Sequence, residues 1–326
     1  MVEHGEAPEE AEAGRRARVR AVARVVCAVA VALVGAVVLV RLDGGSYLAL
    51  VMAVFPWVAV GSLVPLGVAL ALRARWLSGV AGALVVVELC LLLPRFLGGG
   101  AEIPADAPRL RVATSSAHAG AVDPAALVDL VRTERVDVLS VAELSAETAR
   151  ALDSAGMAGL MPYRELRPEA DSSLYSRLPL SDGGLLPLDT TWPQTGADVR
   201  VGGRTVRLVA VHTYYPLGDP GRWDADMTAL REEAARGSED TVFLGDFNAT
   251  LDHGPMRDLL AAGLADVHDE LGQGWAPTWP EGRWYPPLIQ LDHVLHGPGL
   301  AAVSVHEAAV KGSDHRAVVA ELALTD

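Results

Sequence analysis

Three apolar stretches in the first hundred residues constrain this chain more than any other feature. Residues 25–40 carry no charge and are bounded by Arg24 and Arg41. Residues 44–72 carry none and stop at Arg73 and Arg75, and residues 76–94 carry one, Glu88. A membrane-spanning helix takes roughly 20 apolar residues. The second stretch is long enough by itself. The first reaches that length with Arg24 snorkelling toward the headgroups. The third reaches it with Glu88 protonated and hydrogen-bonded to a neighbouring helix; a lone acid without a charged partner argues against an ion site. No small-x-small cleavage site follows the first stretch and two more apolar runs come after it. The segment therefore reads as three transmembrane helices rather than a signal peptide.

Arginine placement gives an orientation. Arg15, Arg16, Arg18, Arg20 and Arg24 precede the first stretch, Arg73 and Arg75 follow the second, and the first loop has only Arg41 beside Asp43. The expectation is a multi-pass protein of the cell membrane. Residues 1–22 form a cytoplasmic tail, 23–97 the three helices, 98–108 (GGGAEIPADAP) a linker, and 109–326 an extracytoplasmic domain. Eleven flexible residues span about 18 Å, which keeps that domain close to the bilayer.

The charge is divided unevenly. The first hundred residues carry 9 basic and 7 acidic side chains, whereas residues 101–326 carry 18 basic and 34 acidic, a net of −16. Such a domain repels phosphate backbones on average and disfavours general nucleic-acid binding. An anionic substrate is still allowed, because a bound divalent cation inverts the local field. The two cysteines, Cys27 and Cys90, lie in the apolar stretches, so the outer domain has neither a disulfide framework nor a cysteine zinc site.

Beyond residue 109 strands and helices alternate. LRVATS is a short apolar strand. Residues 123–135 predict a helix with Asp123 as N-cap and Pro124 in its first turn. VDVLSVAE is a strand ending at Glu143. Further strands are expected at 173–177, 204–214, TVFLG, IQLDHVLH and RAVVAELAL, with helices at 222–236 and 255–262. The length suffices for one two-sheet core covered by helices.

The chemistry-bearing residues sit at strand ends, where sites assemble on sheet scaffolds. Glu143 closes one strand, His212 another, and Asp246 and Asn248 follow a third. Asp292 and His293 lie in the strand IQLDHVL, while Asp314 and His315 precede the last. Glu143 and Asp314 offer the oxygen ligands that Mg²⁺ or Mn²⁺ prefers. Asp246 can take a proton from water and Asn248 can orient that water without adding negative charge. His212 and His315 can hydrogen-bond a phosphoryl group, and Asp292 can hold His315 in one tautomer and keep it cationic. Each piece alone has a plainer reading: GDFN a tight turn, SDH a cap, His212 a satisfied core histidine, Glu143 a charge near a helix N-terminus. It is the ordered set, strand by strand, that points to metal-assisted phosphoester hydrolysis.

In that order, LRVATSSAHAG, VDVLSVAEL, SSLYSRLPL, VHTYYP, GDFNAT, LIQLDHVL and GSDHRAVVAEL cover nearly the whole outer domain. They resemble the endonuclease/exonuclease/phosphatase superfamily. That group contains exonuclease-type AP endonucleases, DNase I-like nucleases, neutral sphingomyelinases and inositol phosphatases. The resemblance implies an α/β fold, a four-layer α/β sandwich of the DNase I type, here preceded by the three helices. It also implies divalent-metal-dependent hydrolysis of a phosphodiester or phosphomonoester. By the same likeness Glu143 is the metal-binding glutamate and His212 contacts the scissile phosphate. Asp246 and Asn248 activate and place water, Asp292 and His315 form the aspartate–histidine pair, and Asp314 is the acid before that histidine. Two positions depart from the pattern: Ser116 stands where the family has a metal-binding asparagine, and Ala142 where it has a glutamine. Both touch the metal corner and predict weakened metal affinity or a rewired site, with His118 two residues along.

Three functions follow as expectations. The first is a membrane-tethered phosphoesterase acting on a lipid headgroup or another extracytoplasmic phosphoester. The second is an extracellular nuclease, which the acidity opposes. The third is a catalytically degenerate binding domain, given Ser116 and Ala142. An aromatic, proline-rich loop, GWAPTWPEGRWYPP, precedes the Asp292 strand. It carries Trp275, Trp279, Trp284 and Tyr285 and reads as loop packing, or as a substrate wall or interfacial anchor.

Overall fold

The computed structural model describes residues 7–40, 43–100 and 103–325. The first six residues of the expected tail, Arg41 of the first loop, positions 101–102 of the expected linker and the final Asp326 lie outside the described residues. The chain divides into two units, Met1–Arg41 with Val54–Leu93, and Leu42–Ala53 with Pro94–Asp326.

In chain order the first helices are α1 (Ala7–Val40), α2 (Ala49–Ala53), α3 (Phe55–Ala71) and α4 (Arg75–Leu92). All but α2 belong to the first unit, whose small core holds Cys27, Val31, Ala69 and Ala81. Elsewhere these helices expose Val, Leu and Trp side chains. Glu88 of α4 is buried; its Oε2 accepts a 2.5 Å hydrogen bond from Ser62 Oγ of α3, while its Oε1 is buried with no hydrogen-bond partner among the described residues.

Two segments, Glu12–Val38 and Arg75–Phe96, are long and apolar enough to cross a bilayer; α3, with 17 residues, is shorter. At 1.5 Å per residue it covers about 26 Å of a hydrocarbon core roughly 30 Å thick. The continuous second span expected over 44–72 is thus not formed. Pro56 sits in the first turn of α3, where a missing N–H costs nothing. Residues 43–53 belong instead to the second unit, where Ala49 is fully buried in a cluster with Trp223 and Phe247. Hydropathy cannot separate an apolar helix of one unit from a segment buried in the core of another, and here it joined the two.

The second unit holds two six-stranded sheets. The first contains β1 (Arg109–Ser116), β2 (Val138–Ala142), β3 (Tyr163–Glu165), β4 (Ser172–Ser176), β11 (Leu300–Ala309) and β12 (Arg316–Leu324), in the order β11-β12-β1-β2-β4-β3. The second contains β5 (Leu180–Leu185), β6 (Thr195–Val201), β7 (Arg204–His212), β8 (Thr241–Asp246), β9 (Ala265–Asp266) and β10 (Asp292–His296), in the order β5-β6-β7-β8-β10-β9.

Strand alternation explains the layering. Val206, Leu208 and Ala210 of β7 join Val242 and Leu244 of β8 in one core with Leu110, Val112, Val138 and Val318 of the other sheet. The alternate residues Val209, Val211 and Phe243 face outward and are covered by Trp223, Met227 and Leu230 of α7 (Pro220–Arg236) and Met256 and Leu259 of α8 (Gly254–Ala261). On the other side Leu139 and Val141 meet Leu127, Val131 and Leu152 of α5 (Pro124–Thr133) and α6 (Ala146–Ser154). Asp123 caps α5 by accepting from Ala125 N–H, with Pro124 opening the helix. The result is helices, sheet, sheet, helices.

This topology delivers polar groups to one end. Parallel β7 and β8 finish together with His212 opposite Asp246, and antiparallel β10 begins there with Asp292 opposite Asp246. In the other sheet parallel β1 and β2 finish with Ser116 opposite Ala142, and antiparallel β12 begins just after His315.

Candidate active site

Asp292 and His315 are the best-defined pair. His315 Nδ1 donates to Asp292 Oδ2 over 2.7 Å, and both side chains are buried. That bond leaves Nε2 facing Asp246 Oδ2 at 3.9 Å. Burial opposes the charge on His315, but the carboxylates of Asp292 and Asp246 outweigh it and push the imidazole up to about 10. Asp292 is itself steadied by Thr278, whose hydroxyl accepts from the N–H groups of Leu291 and Asp292.

Asp246 lies between two imidazoles, with His212 Nε2 4.0 Å from the same Oδ2. Its other oxygen accepts from Asn248 N–H at 2.8 Å. Burial dominates its chemistry and raises its pKa to about 6 despite the two histidines. A carboxyl poised there accepts a proton near neutral pH. Asn248 has a left-handed backbone (φ 46) and donates through Nδ2 to Thr213 O at 3.0 Å. Its amide oxygen is thereby left for a water.

His212 is held by groups that the sequence did not single out. Asp171 Oδ2 lies 3.0 Å from Nδ1. Gln194 accepts from His212 N–H and donates to its carbonyl, at 2.9 and 3.0 Å. Trp192 lies flat on the ring, with centroids 4.6 Å apart. Burial works against protonation of His212, and the charges of Asp171 and Asp246 reverse it, so its pKa is raised. Asp171 and the strap at 190–195 carry no motif; being in the loops before β4 and β6, they become neighbours of His212 only through sheet pairing.

The metal corner is looser. Ser116 is buried, and its hydroxyl accepts from His118 N–H at 3.1 Å while its carbonyl accepts from Ser313 Oγ. β1 ends at Ser116, and His118 and Ala119 adopt left-handed backbone conformations (φ 47 and 49). The chain therefore turns at His118 instead of continuing extended, and the imidazole reaches the site: Nδ1 donates to Gly312 O at 3.2 Å and lies 3.7 Å from Asp314 Oδ1. That Asp314 oxygen is buried with no hydrogen-bond partner among the described residues. Glu143 follows β2 at φ 55, and Ala117 N–H bonds Ala142 O beside it. Glu143, Asp314 and His118 do not bring their ligand atoms within 4.8 Å of one another, but the partnerless Asp314 oxygen is of the kind a hard divalent cation takes. Nearby, ligand atoms of Asp246, Asp292 and His315 all lie within 4.8 Å of one another. Seven of the eight expected side chains offer donor or acceptor atoms at this one end of the sheets, while the Ser116 hydroxyl is engaged by the turn.

A second layer lies behind. His293 Nδ1 donates to Asp266 Oδ2 at 2.8 Å and Nε2 to Ala249 O at 2.9 Å, all without solvent access. In the aromatic loop Trp279 pairs with Ile289 and Glu281 N–H bonds Asp314 O at 2.7 Å, so the loop's base braces the site. Trp284, near the tip, is 94% exposed and meets Tyr285 edge-on.

No curated protein matches the chain. Solved structures do. TDP2 from D. rerio, solved with a single-strand DNA product, is 15% identical, with a TM-score of 0.54 over 66% of this chain and 98% of that one. The mannosyl-6-phosphatase of Bacteroides thetaiotaomicron is also 15% identical, with a TM-score of 0.51 over 66% and 100%. A functionally unknown conserved protein from Enterococcus faecalis is 15% identical, with a TM-score of 0.52 over 66% and 100%. At these identities the likeness is one of fold. Residues 106–315 match the Endonuclease/Exonuclease/phosphatase family, and this span holds all eight side chains from Ser116 to His315, so the chain belongs to that family.

Proposed function

We propose that this protein is a membrane-tethered, divalent-metal-dependent phosphoesterase that hydrolyses an extracytoplasmic phosphodiester or phosphomonoester. The observation that carries the reading is the placement of Asp246 Oδ2 between His212 Nε2 and His315 Nε2, at 4.0 and 3.9 Å. A carboxylate base between two imidazoles, both with raised pKa, is equipment for in-line attack of water on a phosphoryl group. Asp246 takes the proton, and Asn248 aligns the water through its amide oxygen. His212 and His315 donate to the phosphoryl oxygens as negative charge grows. Glu143 and Asp314, with His118, would hold the Mg²⁺ or Mn²⁺, which when bound supplies Lewis-acid polarisation of the phosphoryl oxygen.

The tether rests on the two long apolar segments, with the shorter α3 as a third crossing. The arginines before α1 and after α3 favour a cytoplasmic N-terminus and an extracytoplasmic domain. The substrate class follows from charge and exposure. A net of −16 over residues 101–326 disfavours a nucleic-acid partner. The exposed Trp284 suits a lipid-borne phosphoester presented at an interface. A degenerate binding domain is the second reading, favoured by the engaged Ser116 hydroxyl.

The test uses the full chain in detergent micelles with Mg²⁺ or Mn²⁺ and three substrates: bis-p-nitrophenyl phosphate, plasmid DNA and a phospholipid. Turnover of the first and third, abolished by His315→Ala, is expected. Preferential cleavage of DNA supports the nuclease, and inactivity with every metal supports the binding domain.

A further inference from the structure

Residues 247–254, which follow Asp246 and carry Asn248, are held by two segments that adjoin the apolar helices in sequence. Arg95, just after α4, sends Nη1 to Asp252 Oδ2 at 3.0 Å and Nη2 to Leu251 O at 2.9 Å. Asp43, in the stretch after α1, accepts from Gly254 N–H through Oδ2 at 2.8 Å. Ala49 O accepts from His253 Nε2 at 2.8 Å. Asp43, Ala49, Asp252 and His253 are all essentially solvent-free. His253 Nδ1 accepts from Thr250 N–H at 2.8 Å, which fixes the tautomer that sends Nε2–H to Ala49. Burial keeps this imidazole below its ordinary pKa. At the near end of the loop His293 fixes Ala249 O, and Asn248 is already turned left-handed.

A left-handed asparagine persists where its surroundings over-determine it. Four consecutive residues, from Leu251 to Gly254, are tied down by side chains and a carbonyl from positions 43, 49 and 95. Gly98 and Gly99 continue the second tie: Gly99 N–H bonds Glu270 O at 3.1 Å, and a Cβ on Gly98 would come within 3.1 Å of Leu271 backbone. We propose that Asp43, Ala49 and Arg95 are positioning residues of the active site, which hold the loop so that Asn248 stands beside Asp246. The inference rests on the hydrolase reading for its catalytic consequence. It makes the stretch between α1 and α3 part of the catalytic domain and not merely a membrane loop.

The experiment compares the full chain with Asp43→Leu, Asp43→Asn, Arg95→Met and Arg95→Lys in detergent micelles. Turnover of bis-p-nitrophenyl phosphate and amide hydrogen exchange are both measured. Misplacement of a water-orienting group costs rate more than binding. Asp43→Leu and Arg95→Met should therefore lower kcat about tenfold or more with KM changed less than about twofold. Exchange protection should fall over 248–254 and stay unchanged over β8. Asp43→Asn, whose amide oxygen accepts the same Gly254 N–H, should restore both. Unchanged kcat and unchanged protection in Asp43→Leu and Arg95→Met would overturn the proposal. If Asp43→Leu loses protection throughout, Arg95→Lys decides: it keeps the charge but cannot reach both Asp252 and Leu251, so local loss supports the proposal and none overturns it. If the unmodified chain turns over no phosphoester, the hydrolase reading fails, and exchange at 248–254 still judges the clamp.

Discussion

Trp192 lies parallel to His212, with planes within 16° and centroids 4.6 Å apart, so the indole face meets an imidazole that Asp171 and Asp246 favour in its charged form. Stacked or cation–π contacts of this kind contribute about 0.5–2 kcal/mol. Trp192→Ala should lower kcat/KM on a phosphodiester by roughly 3- to 30-fold, while Trp192→Phe keeps most of it. Steady-state kinetics on both variants checks this. Equal losses in the two would place the effect in packing rather than in the stack.

Asp292→Asn removes one of the carboxylates that keep His315 charged and leaves its Nδ1–H only a neutral amide oxygen to bond. The fold should survive, since the amide is isosteric. The expected result is a drop in kcat of about 10²- to 10⁴-fold, with the alkaline limb of the pH profile moved to lower pH. Thermal unfolding and kcat against pH measure the two effects separately.

The pH profile itself has a definite shape. Asp246 acts as a base only when ionised, and with its pKa near 6 the rate should rise as pH increases through that value. His315 donates only when protonated, and with its pKa near 10 the rate should fall as pH passes that value. A plateau that begins near pH 7 follows, and it ends where the first of His212, whose pKa is also raised, and His315 loses its proton. A rate that falls between pH 5 and 8 would contradict the assigned roles.

Ser116→Asn should return an amide oxygen to the metal corner, and His118→Ala should remove a nitrogen from it. Calorimetric titration of the full chain with Mn²⁺ should show tighter binding in the first and weaker binding in the second, each by roughly tenfold or more. No change in either would take the metal away from this corner and toward Asp246, Asp292 and His315.

Much of the site was legible because its residues sit at strand ends. Runs such as TVFLG and RLVAV are apolar and β-branched, and their terminal polar residues are conspicuous. Several strands were not legible. β5 reads LSDGGL, an edge strand rich in residues that disfavour sheets, and β11 is alanine-rich; both form because neighbouring strands pair with them. Asp171, Trp192 and Gln194 were invisible for a related reason, since each meets His212 across sheet pairings that local patterns do not encode. The stretch 43–53 misled for a physical cause: an alanine buried against Trp223 and one buried in lipid have the same hydropathy.

The most direct test of the account is the turnover number of Asp246→Asn in the full chain. The substitution keeps volume and the hydrogen bond from Asn248 N–H but removes the base. With bis-p-nitrophenyl phosphate and Mg²⁺ or Mn²⁺, the account predicts a fall of about 10²-fold or more in kcat with KM little changed. An Asp246→Asn protein that hydrolyses the diester as fast as the unmodified chain would contradict it.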